Sequence, residues 1–322
     1  MGYSERYSRG FDRFQQRHPL IGFPIAVFRK YSDDEGGSLA ATISYYGFFS
    51  LFPLLLVLTT VLGYFVDQNS DLYKSLVDSA LGQFPVIGHQ LKTHSLQGSG
   101  LALGLGIAVA VWAGMGVFLA SQRAMDNVWD VPRTERPDFL RARLRALGLL
   151  VVLGGGLLAT TVLAGFGSFG AEYGVAWKIG SLAVSTALNF VLFWVGFRLL
   201  TAPEVTWRQL RGGAIAAAVA YEALQALGGW YVGHVVKGAT ETYGTFALVI
   251  GLLSWIYLAA NITLLAAEGN VVATRRLWPR SLSLGAEQPP TDADRRALSD
   301  LSEVERRRDD ETVEVELGRR RA

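Results

Sequence analysis

The sequence predicts an all-α polytopic membrane protein with six transmembrane helices and both termini cytoplasmic. Two observations carry that prediction. Six long apolar runs divide the 322-residue chain, and its Lys and Arg residues gather in alternate segments between them. A helix crossing a hydrocarbon core of roughly 30 Å needs about 20 predominantly apolar residues. Runs 39–66, 101–121, 146–170, 179–197, 212–236 and 245–267 meet that requirement. One carboxylate, Glu222, interrupts the fifth, and the sixth closes on Glu268. Cationic side chains accumulate on the cytoplasmic face of a membrane protein. Of the 30 Lys and Arg residues, 26 lie in one alternating set of segments, namely the N-terminal lead, two connections and the C-terminal tail. The other set holds only Lys74, Lys92, Lys178 and Lys237. An even number of spans satisfies that split.

Composition agrees. Hydrophobic residues make up 50% of the chain and mean hydropathy is +0.26, too apolar for an ordinary soluble domain. The net charge of +2 conceals the sidedness of the cations. No cysteine is present, which excludes disulfides, thiol nucleophiles and Cys-ligated metals. The first apolar run starts near residue 39, spans 28 residues and lacks a small-residue cleavage site, so a cleaved signal peptide is not expected.

Residues 1–38 form a cytoplasmic lead-in. Tyr7, Phe11 and Phe14 recur at helical spacing among Arg6, Arg9, Arg13 and Arg17. A basic, aromatic amphipathic helix of this kind lies in the headgroup layer; a plain juxtamembrane anchor is the simpler reading. Span one carries Thr42, Tyr45, Tyr46 and Ser50 before Pro53. Proline removes a backbone donor and invites a kink, so this helix is expected to bend with hydroxyls on one face. In the first outer connection, Leu72, Leu76, Ala80 and Phe84 suggest a short helix ending near Pro85. Spans three to four and five to six are joined by short outer connections, as antiparallel hairpins are. Trp177 and Trp207 bracket span four as an aromatic belt would. The six-helix domain covers 39–270. Residues 271–322 form a charged, largely disordered cytoplasmic tail, with room for a short helix around 293–308.

Polar groups inside apolar spans carry most of the functional information, because they must face protein or a wet cavity. A central acidic residue costs about 2.5–3.5 kcal/mol on insertion scales, so Glu222 needs a partner or a proton. Gln225 lies one turn beyond it. Span four presents Ser181, Ser185 and Asn189 as one polar stripe, and span six presents Ser254, Asn261 and Glu268 at intervals of seven. Interhelical packing explains Ser254 well. A cavity or substrate pathway is expected to draw on Glu222, Gln225, Asn189, Asn261, Tyr45, Tyr46, Ser50, Pro53 and Glu268.

The chain has no GxxxxGK[ST], HExxH, GxSxG or HxH pattern, and its four histidines are scattered. No catalytic residues, metal ligands or cofactor are expected, and neither nucleotide nor nucleic acid is an expected partner. The glycine-rich stretches of spans two and three permit close helix approach and leave a homo-oligomer open.

Several segments resemble the YihY/BrkB family of bacterial inner-membrane proteins, formerly labelled "ribonuclease BN". They are Arg17-His-Pro19, then 40–54 (AATISYYGFFSLFPL), then 124–131 (AMDNVWDV). Tyr221-Glu222, 243–246 (YGTF), 253–257 (LSWIY) and 264–268 (LLAAE) complete the set. Relatives commonly read LLGAE at the last place, where this chain has Ala266. The resemblance covers about 17–270 and implies a six-helix protein of the cytoplasmic membrane. It also implies a part in envelope-lipid handling, without assigning a role to any residue. The leading expectation is a non-ATP-driven transporter or flippase-like handler of a lipid or other amphiphile, with membrane lipids as partners. The alternative is a non-transporting scaffold that binds anionic lipid or envelope machinery. An intramembrane lipid-headgroup enzyme is third, and ribonuclease activity is not expected.

Overall fold

The computed structural model describes residues 12, 14–65, 100–168, 175–201, 205–231, 245–281, 290–308 and 310–315. Among them every regular element is helical. The helices are α1 (Pro19–Asp33), α2 (Gly36–Phe65), α3 (Gly100–Val128), α4 (Phe139–Ser168), α5 (Val175–Leu200), α6 (Trp207–Tyr231), α7 (Thr245–Arg275) and α8 (Asp292–Glu303). Helices α2 to α7 coincide in order with the six apolar runs. Two stretches, Ile179–Leu200 and Val249–Arg275, are long and apolar enough to cross a membrane by length and composition. Leu72, Leu76, Ala80 and Phe84 of the first outer connection, and Tyr7 and Phe11 of the lead-in, lie outside the described residues.

Sequential neighbours pack together: α2 on α3, α3 on α4, α4 on α5, α5 on α6 and α6 on α7. Helix α7 closes the arrangement by packing on α2 and α1 as well. Large apolar side chains point outward on nearly every long helix, among them Trp112, Val151, Ile179, Leu227 and Ile250. Exposed apolar area on this scale suits a hydrocarbon solvent and not water.

The dense core sits at the end that carries the basic segments. Ala26, Ala124, Ala214, Ala217, Ala260, Ala266 and Ala267 are all buried there with Met125, Phe197, Leu264 and Val271. Small side chains let helix backbones approach closely. The closest approach is at Gly213 of α6, where an added Cβ would stand 2.2 Å from the Ala266 carbonyl oxygen and 2.4 Å from Asn270 Nδ2. Asn270 fixes that contact by accepting from Gly213 N at 2.7 Å and donating to Leu210 O at 3.2 Å. Near the other end of α6, a Cβ on Gly228 would run into the Trp255 ring at 2.2 Å.

Helix α2 passes through Pro53 as one element. Its hydroxyls are used locally, Thr42 on Ser38 O at 3.0 Å, Ser44 on Ala40 O at 2.6 Å and Ser50 on Gly47 O at 2.9 Å.

Within the tail, α8 stands where the sequence leaves room for a short helix around 293–308, and it lies against the helical domain. Thr291 caps α8 with a reciprocal capping box to Asp294, and Ala293, Asp294 and Ala297 are buried. Asp294 Oδ2 accepts from Ser281 N at 3.0 Å, Ser281 Oγ at 2.6 Å and Thr291 N at 3.0 Å. Burial alone would raise the Asp294 carboxyl, but these hydrogen bonds hold it below the ordinary carboxylate value. Fully buried Arg280 bridges Asp294 Oδ1 at 3.2 Å and Asp33 Oδ2 at 2.7 Å, tying the tail to α1. Beyond α8, Arg133 pairs with Glu305 at 2.9 Å and Arg306 pairs with Glu135, so the chain straps the α3–α4 connection.

Candidate functional site

Two polar groupings stand out among the apolar helices. The first lies between α5 and α6. Counting about 1.5 Å per residue, Glu222 lies roughly 22 Å along α6 from Trp207. Its Oε1 accepts from Ser185 Oγ at 2.6 Å and from Asn189 Nδ2 at 2.8 Å. Ser185 and Asn189 are one helical turn apart on α5, so a single face supplies both donors. The sequence-predicted stripe of span four and the carboxylate of span five are thereby brought together. Gln225 Nε2 lies one turn away and donates to Tyr221 Oη at 3.4 Å, a long contact within the same helix. Ser185 is exposed at the side of the helix pair, and Glu222 and Asn189 are half-buried. The group therefore opens laterally.

The second grouping lies where α1, α2, α3 and α7 meet. Lys30, Asp34, Asp130 and Glu268 are all buried there. Lys30 Nζ donates to Asp34 Oδ2, to Asp130 Oδ1 at 3.0 Å and to Val128 O at 3.3 Å. The other Asp130 oxygen takes Arg275 at 3.0 Å, and Arg275 reaches Asp300 of α8 at 2.9 Å. Burial lowers the affinity of Lys30 for its proton, but Glu268, Asp130 and Asp34 outweigh it and raise the ammonium above its usual value. The same burial pushes Asp130 up to about 6 against the pull of Lys30. Asp126, one turn earlier in the chain, is also raised to about 6 by burial, with Arg136 and Arg145 opposing.

This grouping extends along α7. Tyr31 Oη donates to Asn261 Oδ1, and Asn261 Nδ2 donates to Tyr257 O at 2.6 Å. Asn261 thus contacts α1, and Glu268, seven residues further along α7, is buried in the grouping itself. The remaining sequence-predicted positions join neither grouping. Tyr45 and Tyr46 are exposed and stack edge-on at 5.5 Å, whereas Ser50 is buried and satisfied within α2. Sequence reasoning counted Lys30 only as an orienting charge and passed over Asp34 and Asp130. Acidic residues in otherwise basic segments, beside a helix that needs partners for Glu268, were the available signal.

Among the described residues no group of His, Cys, Asp and Glu side chains is arranged to hold a metal ion. The helices and their apolar outer faces define a helical membrane protein. The chain belongs to the BrkB family: the family model described as "Virulence factor BrkB" matches residues 27–290. It is 26% identical to the inner membrane protein YhjD of Escherichia coli over 82% of this chain and 85% of that protein. It is 25% identical to the putative ribonuclease-like protein YfkH of Bacillus subtilis over 80% of this chain and 96% of that protein. A longer relative, the UPF0761 membrane protein Smlt0865 of Stenotrophomonas maltophilia, is 30% identical over 85% of this chain and 66% of its own length. No solved structure matches the chain.

Proposed function

We propose that this protein is a six-span, non-ATP-driven transporter or flippase-like handler of an envelope lipid or other amphiphile. It sits in the bacterial cytoplasmic membrane with both termini on the cytoplasmic side. One observation carries the reading: Glu222, Ser185 and Asn189 form a hydrogen-bonded polar group that opens sideways from the apolar α5–α6 pair. An intramembrane polar group is costly unless it serves a pathway or is sealed by protein. A lateral opening suits a solute whose tail stays in lipid while its headgroup meets the polar group. The charge distribution supports the orientation, with 26 of 30 Lys and Arg residues on one side. The ribonuclease-like name belongs to the Bacillus subtilis relative and is not carried over to this chain.

The test is translocation of headgroup-labelled lipids in proteoliposomes, read with a membrane-impermeant quencher. The expected result is movement above protein-free vesicles that Glu222→Gln abolishes while retaining its gel-filtration profile. Normal flux in Glu222→Gln sinks the site assignment. No movement with any of several bacterial lipids returns the protein to the scaffold reading.

A further inference from the structure

Glu268 is the most enclosed carboxyl in the second grouping, 0% exposed. Neither of its oxygens receives a hydrogen bond from an N–H or O–H group. Its natural partner would be Lys30, but an ammonium has three hydrogens. Those of Lys30 go to Asp34, Asp130 and Val128 O. Other donors of the grouping have acceptors elsewhere. Tyr31 serves Asn261, Asn261 serves Tyr257 O, and Arg275 serves Asp130, Trp129 O and Asp300. Asp33, the next carboxyl on α1, is occupied by Arg280.

Glu268 shares this buried site with Asp34 and Asp130, close enough to each for their charges to interact. Two carboxylates cannot hydrogen-bond each other, since neither has a hydrogen to give. The charges lead to the same place. Lys30 and Arg275 bring two positive charges to Asp34, Asp130 and Glu268, leaving one negative charge in excess in a buried site. An uncompensated buried charge costs several kcal/mol, and one proton removes it.

We propose that the Asp34–Glu268 pair is a proton-binding site on the cytoplasmic side of the helical domain. A proton from water adds to one carboxylate, giving a carboxyl that donates to the other, and leaves by the reverse step. The ligand set favours a proton over a metal ion, because the acidic groups here are not arranged for coordination. Burial also raises the Asp34 carboxyl in spite of Lys30 beside it. Asp34 occupies the C-cap of α1, in the short link to α2. Proton release sets two carboxylates against each other across the seam between that link and α7.

The test is infrared spectroscopy of the full-length protein in nanodiscs at neutral pH. The expected signal is a protonated-carboxyl stretching band that shifts in D2O, is lost in Glu268→Gln and moves in frequency in Asp34→Asn. The second variant keeps the test decisive if the first does not fold. Spectra identical in the wild type and both variants overturn the proposal. So does a sodium-dependent gain in thermal stability that Glu268→Gln removes while no such band is present, which would make the ligand a metal cation. The readout needs no transport, so failure of the lipid assay leaves it standing.

Discussion

Lys30 Nζ lies 3.0 Å from Asp130 Oδ1, joining side chains only 2% and 1% exposed and 100 positions apart in the chain. Removing one partner of such a pair leaves an uncompensated charge and costs about 3–5 kcal/mol. Lys30→Met should therefore destabilise the detergent-solubilised protein by that order, measured as a lower denaturation midpoint. Asp130→Asn should cost less, because Lys30 keeps Asp34 and Val128 O as acceptors. Equal losses in the two variants would show that Lys30 is not the organising charge.

Gly213 and Gly269 form a controlled comparison on the packed pair α6 and α7. A Cβ at Gly213 meets backbone oxygen at 2.2 Å, which side-chain rotation cannot relieve, whereas nothing lies within 4 Å of one at Gly269. Overpacking of this kind typically costs about 1–3 kcal/mol or more. Gly213→Ala should lower thermal stability, and Gly269→Ala should leave it unchanged or raise it by about 0.4–1 kcal/mol. Similar midpoints for both would mean that α6 and α7 do not approach so closely.

The six long helices were legible because apolar length is a local property that each run displays by itself. The need for partners at Glu222 was legible for a related reason, since an isolated carboxylate in an apolar run is costly wherever the helix packs. Ser185 and Asn189 could be flagged as a stripe, but their meeting with Glu222 depends on the rotation of α5 against α6. The Lys30 grouping was hidden more deeply. Its members come from α1, the α1–α2 link, the end of α3 and α7, and each looks like an ordinary flanking charge in sequence. The docking of α8 was hidden for a different reason. Mixed charge suggests solvation, yet Thr291 and Asp294 already spell a capping box, and a buried Arg280 supplies the docking contact.

That docking contact is open to proteolysis. Asp294 completes the capping box that Thr291 begins and also receives Ser281 and Arg280, so Asp294→Ala removes its half of the box together with the buried pair. Trypsin should then cut at Arg295 and Arg296 well before it does in the wild type, because cleavage within a helix requires local opening. An unchanged digestion pattern would show that α8 is not held through Asp294.

Stability should also respond to pH, with a sign set by two carboxyls outside the spans. Asp126 and Asp130 are raised from 3.8 to about 6 by burial, so each binds its proton more tightly folded than unfolded. Their contribution is fully present below pH 3.8, is lost as pH rises through about 6, and is flat beyond. The total loss is on the order of 2–3 kcal/mol per group. Asp294 has the opposite sign, but its carboxyl titrates below the ordinary value and so acts only under more acidic conditions. Lys30 is raised from 10.5 and stays charged throughout this window. The denaturation midpoint in detergent should therefore fall between pH 4.5 and pH 7.5, a range chosen to bracket the titration at about 6. Asp126→Asn is the informative variant, because Asn cannot titrate and Asp126 stands outside the Lys30 ion pairs. It should keep the acidic midpoint and flatten part of the slope. A wild-type slope in that variant would remove Asp126 from the account, and a midpoint that rises with pH would reverse the sign for both groups.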